Sequence, residues 1–191
     1  MNILGVERGK LALLPYQPYW RFAFLEEAAV IRKILGNQVL AIEHIGSTAV
    51  PGMTSKPIID MMVAIRRFGE APRLISRLES LGYAWIGMHP ETPDRLPLFK
   101  GTWLRRTHHL SLAEPGSRYW QSQLQFRDAL RSDAASAREY ASLKKQLLAT
   151  PGITRRVYTD SKGPFVRKIL NRRVLAPMPP SPNLGDVIKP Q

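Results

Sequence analysis

Cysteine is missing altogether from the 191 residues. A disulfide framework, a thiolate zinc site, an iron–sulfur cluster and thiol catalysis are thereby excluded. Acid is scarce as well: 15 Asp and Glu stand against 28 Lys and Arg, for a formal charge of +13. The four His include no pair at helical i, i+4 spacing, so a helix-borne zinc site has no footing. Apolar runs are short and broken by Arg, Glu or Pro, far from the ~20 residues that span a bilayer. The opening residues carry Glu7, Pro15 and Pro18 without the basic-then-apolar pattern of an export signal, so the expected compartment is the cytoplasm, with no membrane partner.

What is present is an ordinary globular composition, 44% hydrophobic and 23% charged, on a chain long enough to bury a core unaided. The expectation is one domain over 1–175, an α/β part at about 10–114 followed by a helical part at about 115–175. Five Pro fall within the sixteen residues 176–191, which predicts a disordered tail. The basic excess is uneven, with ten basic and two acidic residues from Arg138 to Arg173 and eight against four from Arg66 to Arg106. Such a field draws polyanions: RNA, a nucleoside polyphosphate or a phosphate-tailed coenzyme. The bland alternative is a solvated basic surface, and charge alone does not choose.

Periodicity predicts a lead-in strand at 10–14, then a helix at 18–35 whose stripe Trp20, Phe24, Ala28, Ile31 and Leu35 faces a core. Apolar runs at 38–45 and 57–65 read as buried strands, 71–81 as a helix and 83–86 as a strand. A strand pair follows at 97–100 and 107–113. Ser117 is placed to cap a helix at 117–132, with further helices at 134–149 and 164–174. The class is α+β: a mixed sheet with flanking helices and a helical C-terminal part.

Chemistry concentrates between Glu43 and Asp60. A strand ending in Gly46-Ser47-Thr48 lets backbone N–H groups and hydroxyls face an anion with no β-carbon in the way, and Lys56 adds a point charge. Asp60 stands in an otherwise apolar run from Pro57 to Ile65, where a lone carboxylate is costly unless paired or metal-bound. A salt bridge to Lys56 or to an Arg is the structural alternative. Glu43 and His44 point to opposite faces of their strand, so at most one faces the Gly-Ser turn; His109 and Ser111 share a face of theirs. His44 as base or phosphate ligand stands against a hydrogen-bonded structural His. An RNA surface requires exposed aromatics among the cations, and Arg155, Arg156, Lys168, Arg172 and Arg173 have only Tyr158 and Phe165 among them, leaving nucleic acid a minority reading.

The wording of 43–60 resembles the GrpB-like family, whose fold belongs to the nucleotidyltransferase superfamily. The resemblance extends through Tyr16-Gln17-Pro18-Tyr19-Trp20, Arg106-Thr107-His108-His109-Leu110, Glu114-Pro115-Gly116-Ser117, Phe126-Arg127-Asp128, Glu139 to Lys144 and Tyr158 to Phe165, covering about 10–172. It implies a nucleotidyltransferase-like enzyme on a small mixed sheet. Gly46 and Ser47 take the triphosphate-approaching turn, and Asp60 takes the first metal-binding acid. The superfamily's Asp-x-Asp is broken here by Met62, and thioether sulfur is a poor magnesium ligand. One Mg²⁺ on Asp60, with Glu43 as replacement ligand and His44 or His109 as base, is therefore expected over two. Arg95, Lys100, Lys144, Tyr158 and Lys162 fall in matched stretches as candidates to line the cleft. The rival is a non-catalytic binding or assembly module with a protein partner, since GrpB-like domains also occur joined to dephospho-coenzyme A kinases.

Overall fold

Near-continuous apolar runs give the central strands two buried faces, and the sequence supplies helices for both. The computed structural model describes residues 4–7, 12–88, 90–102 and 104–173. It contains β1 (Val6–Glu7), α1 (Tyr19–Leu35), β2 (Val39–Ile45), β3 (Ile59–Ile65), α2 (Ala71–Glu79), β4 (Tyr83–Trp85), β5 (Arg95–Gly101), β6 (Arg105–Ala113), α3 (Arg118–Ser132), α4 (Ala134–Ala149), α5 (Arg155–Asp160) and α6 (Gly163–Arg173). The sheet runs β2-β3-β6-β5-β4, with β1 pairing to the start of β6. Every pairing is antiparallel except β3 with β6, which makes this the mixed α+β fold expected.

On one face α1 and α2 bury Trp20, Ile31, Leu35, Leu74 and Leu78 against Ile59, Met61, Val63, Leu110 and Leu112. On the other, Tyr119, Trp120 and Leu124 of α3 pack on Ile45, Met62, Ala64 and Ala113. A third cluster joins α3, α4 and α6 to the loop after β2 through Val50, Met53, Leu130, Tyr140, Phe165 and Ile169. Ser117 caps α3 as expected, its Oγ accepting from Trp120 N at 3.2 Å. Among the described residues no helix is long and apolar enough to cross a membrane.

The strand pair extends beyond its predicted ends, β5 starting at Arg95 and β6 at Arg105. Pro97 is tolerated because its missing N–H lies on the β4 side, past the last ladder pair Trp85↔Leu98. The short α5, capped by Thr154 Oγ1 on Val157 N, is unanticipated. At six residues it carries no periodic signal distinct from a loop. The lead-in strand reduces to a single bridge, Leu14 to Ser55, and Lys10 and Leu11 lie outside the described residues, as does the tail from 176.

Candidate functional site

Strand β2 delivers the chain to Gly46, whose φ of 68° and ψ of −170° occupy a region that only glycine holds without strain. Ile45 lies in register with Asp60, so the turn folds directly over that carboxylate. A β-carbon on Gly46 would stand 2.5 Å from Asp60 Oδ2. The parallel β3–β6 pairing sets Asp60 opposite His109, and Nδ1 of that ring meets Asp60 Oδ1 at 2.9 Å. A carboxylate accepts, so Nδ1 is the donor of this bond and Nε2 is left outside the pair. That Nε2 is buried and has no hydrogen-bond partner.

These groups open onto a cleft of about 530 Å³ between the sheet and the C-terminal helices. Its lining includes six cationic side chains, Lys56, Arg95, Arg106, Lys144, Arg155 and Lys162, and two acids, Glu7 and Asp60. Lys144, buried on α4, donates from Nζ to Ser47 Oγ at 3.1 Å and to the Thr54 carbonyl. Lys56 and Lys162 lie over the Tyr158 ring, with Nζ 4.2 Å and 4.8 Å from its centroid. Burial, reinforced by the Lys162 cation, brings the Lys144 amine down to about 7. Burial first, then Lys162 and Arg155, brings Lys56 to about 8. Lys162 is lowered too, mainly by burial, with Asp60 opposing and Arg155 adding. Burial alone lifts the Tyr158 hydroxyl to about 12. Desolvated, mutually repelling ammonium groups around one turn favour an anion among them.

Of the residues singled out in the sequence, Gly46, Ser47, Lys56, Asp60, Arg95, His109, Lys144, Tyr158 and Lys162 line this cleft. Four others do not. Lys100 is in register with His108 on the opposite face of the sheet, and its Nζ meets Glu27 Oε2 of α1 at 2.8 Å. His44 also faces α1, stacked on Phe24 with ring centroids 4.7 Å apart. Thr48 Oγ1 gives its proton to the Ile58 carbonyl at 3.3 Å and accepts from His44 Nε2 at 3.0 Å, fixing the loop from behind. Burial takes His44 down to about 3, so it stays neutral. Its structural reading is therefore the one the geometry supports. Glu43 shares the Asp60 face of the sheet but lies under α3, where Arg127 Nη1 meets its Oε2 at 2.6 Å.

A magnesium centre built on Asp60 and Glu43 does not fit this arrangement, because Glu43 is committed to Arg127. Among the described residues no three His, Asp or Glu side chains gather as a ligand set. Met62 is fully buried under α3.

Several lining groups escaped the sequence reading: Tyr119, which takes Arg95 Nη1 at 3.0 Å and Ser111 Oγ at 3.1 Å, and Tyr140, Gln123 and Arg155. A signal for the last exists, since Arg155, Tyr158, Thr159 and Lys162 recur at i, i+3, i+4 and i+7 and all line the cleft. The basic stretch also proves partly paired, Lys168 Nζ with Glu139 Oε1 at 2.6 Å and Arg156 with Asp160 at 3.7 Å.

The GrpB protein family model matches residues 10–172. A UPF0157 protein of Pseudomonas aeruginosa is 39% identical over 173 residues, covering 87% of this chain and 69% of that one. A UPF0157 protein of Bacillus subtilis is 33% identical over 158 residues, covering 83% of this chain; this chain spans 46% of that relative's length. A dephospho-CoA kinase of Mycolicibacterium paratuberculosis is 23% identical over 192 residues, the match taking in 47% of its length. The crystal structure of conserved protein GrpB from Enterococcus faecalis superposes with a TM-score of 0.77 at 34% identity, over 84% of this chain and 96% of that one.

Proposed function

For a chain that belongs to the GrpB family, we propose that the cleft holds the phosphate groups of a nucleotide or other phosphorylated ligand as a nucleotidyltransferase-like enzyme, the acceptor oxygen forming a new P–O bond as the bond to the departing phosphate or pyrophosphate breaks. The observation that carries this reading is the convergence of Lys56, Lys144 and Lys162 with the Gly46-Ser47 turn on one cavity. The turn and Lys144 position a phosphate, Lys56, Lys162 and Arg155 neutralise it, and Arg95 stands on the sheet side with its Nε buried and unpartnered. These fixed cations place positive charge where charge develops on the transferring phosphate. Asp60 orients His109 through Nδ1, and that ring, on the cleft lining, is the base for an acceptor hydroxyl. Catalysis is then positioning and electrostatics.

The test is thermal stabilisation by ATP, CTP, dephospho-coenzyme A and inorganic phosphate, each with and without Mg²⁺. Stabilisation by a phosphorylated ligand that Lys144→Met and Lys162→Met abolish supports the reading. No stabilisation by any of them overturns it. His109→Gln separates binding from turnover, keeping the first and losing the second once an acceptor is found.

A second reading, an accessory module beside coenzyme A chemistry, is favoured by the match to part of a dephospho-CoA kinase. It predicts stabilisation by dephospho-coenzyme A with no transfer and no effect of His109→Gln.

A further inference from the structure

The Gly46–Gly52 loop has a second side. There a separate cavity of about 690 Å³ opens between α1 and α4, with Thr48 to Gly52 as one wall. This volume falls inside the range of about 300–1,000 Å³ usual for small-molecule sites. Phe24, Leu25, Val50, Met53, Leu130 and Ala137 give it an apolar lining. Three arginines, Arg21, Arg131 and Arg138, complete it, and among the described residues no acidic side chain lines it. The Asp60 cleft, by contrast, mixes lysines with carboxylates and hydroxyls.

The wall is fixed before any ligand arrives. Arg131 donates Nε and Nη2 to the Ala49 carbonyl at 2.9 and 2.8 Å, and His44 holds Thr48 at 3.0 Å. Arg131 is thereby spent on structure, and its Nη1 lies 3.8 Å from Asp128. Arg21 and Arg138 are exposed and carry no partner among the described residues. Two uncommitted guanidinium groups beside an apolar hollow complement a ligand with one anionic head on an apolar body. The planar fork of Arg suits a carboxylate, which it can take with two parallel N–H bonds.

We propose that this cavity is a binding site for an amphipathic carboxylic acid, its chain against Phe24, Leu130 and Ala137 and its carboxylate on Arg21 and Arg138. The site is distinct from the phosphate cleft and does not depend on the reading of that cleft.

Octanoate is the probe, titrated calorimetrically into the full chain, with octanol as the same chain lacking the charge. The expected result is saturable binding of one octanoate, weakened at least about tenfold in Arg21→Glu/Arg138→Glu, and at least about tenfold weaker binding of octanol. Ala137→Trp, which fills the hollow and keeps both arginines, is expected to abolish binding, while Arg155→Gln in the cleft leaves it unchanged. The reversed charges are solvent-facing, and circular dichroism melting confirms that each variant folds. Octanol binding as tightly as octanoate, octanoate binding that survives both cavity variants, or loss of it in Arg155→Gln would each overturn the proposal.

Discussion

Gly46→Ala is the sharpest probe of how the turn and the acid are built together. The φ of 68° with ψ of −170° lies in a region closed to residues with a β-carbon, and holding alanine there costs on the order of 1–3 kcal/mol. A second cost is specific to this site. The new carbon would sit 2.5 Å from Asp60 Oδ2, 3.0 Å from its Cβ and 3.1 Å from its Cγ, so the carboxylate must leave its place beside His109. Gly52 is the internal control, since its φ is 75° and a β-carbon there meets nothing within 4 Å. Urea unfolding, followed by circular dichroism, is expected to show Gly46→Ala about 2–4 kcal/mol less stable than the parent and clearly below Gly52→Ala. In the Asp60→Ala background, which removes Oδ2 and Cγ and leaves Cβ, the Gly46→Ala penalty should shrink by about 1 kcal/mol. Equal penalties for Gly46→Ala and Gly52→Ala, or an unchanged penalty without the carboxylate, would refute the claim that the turn closes on Asp60.

Three further outcomes are expected. Lys144 is held at about 7 in the fold against 10.5 in the unfolded chain, so the unfolded state binds more protons across that window and stability rises with pH from about 7 towards 10.5. Lys144→Met should flatten that slope in urea titrations at several pH values, leaving a remainder of the same sign from Lys56, which is held at about 8. Glu27→Gln strips the partner from Lys100 on the far face of the sheet. The loss is about 1–3 kcal/mol of stability by denaturant midpoint, with phosphate affinity unmoved. Glu43→Gln, by loosening Arg127, should likewise lower stability without changing ligand affinity or its Mg²⁺ dependence; a loss of Mg²⁺ response would return Glu43 to the metal.

Most of the cleft was legible because parity and glycine chemistry are local. Alternation alone places Asp60 and Met62 on one face of β3, and Gly46-Ser47 announces a turn that tolerates an anion. What failed was whatever depends on partners far along the chain. Lys100 went to the wrong face because the parity of β5 is fixed by its register with β6, Lys100 against His108 and Phe99 against His109, and by nothing in the strand itself. Glu43 had the right face, but Arg127 lies 84 residues away and no periodicity announces the pair. His44 and Thr48 are four residues apart and hydrogen-bonded, yet only α1 behind them decides that the pair supports the loop rather than lining the cleft.

That position 62 is methionine and not an acid has a packing cause. Position 62 lies beneath α3, wholly buried with Trp120, Tyr119 and Leu124 against it. A carboxylate there would be desolvated beside an Arg127 that already serves Glu43 and Asp128, and would cost several kcal/mol. Methionine instead fills the space under an aromatic helix. Once α3 closes over that end of β3, only position 60, beside the Gly46 turn, still reaches solvent. Under the proposed function, positive charge for an anion must then come from the other wall of the cleft. It does: Lys144 comes from α4, while Arg155 and Lys162 come from α5 and the turn beyond it. The helical C-terminal part and the apolar position 62 are in this sense one design, and filling position 62 with Asp should unfold the α3 packing before it creates a metal site.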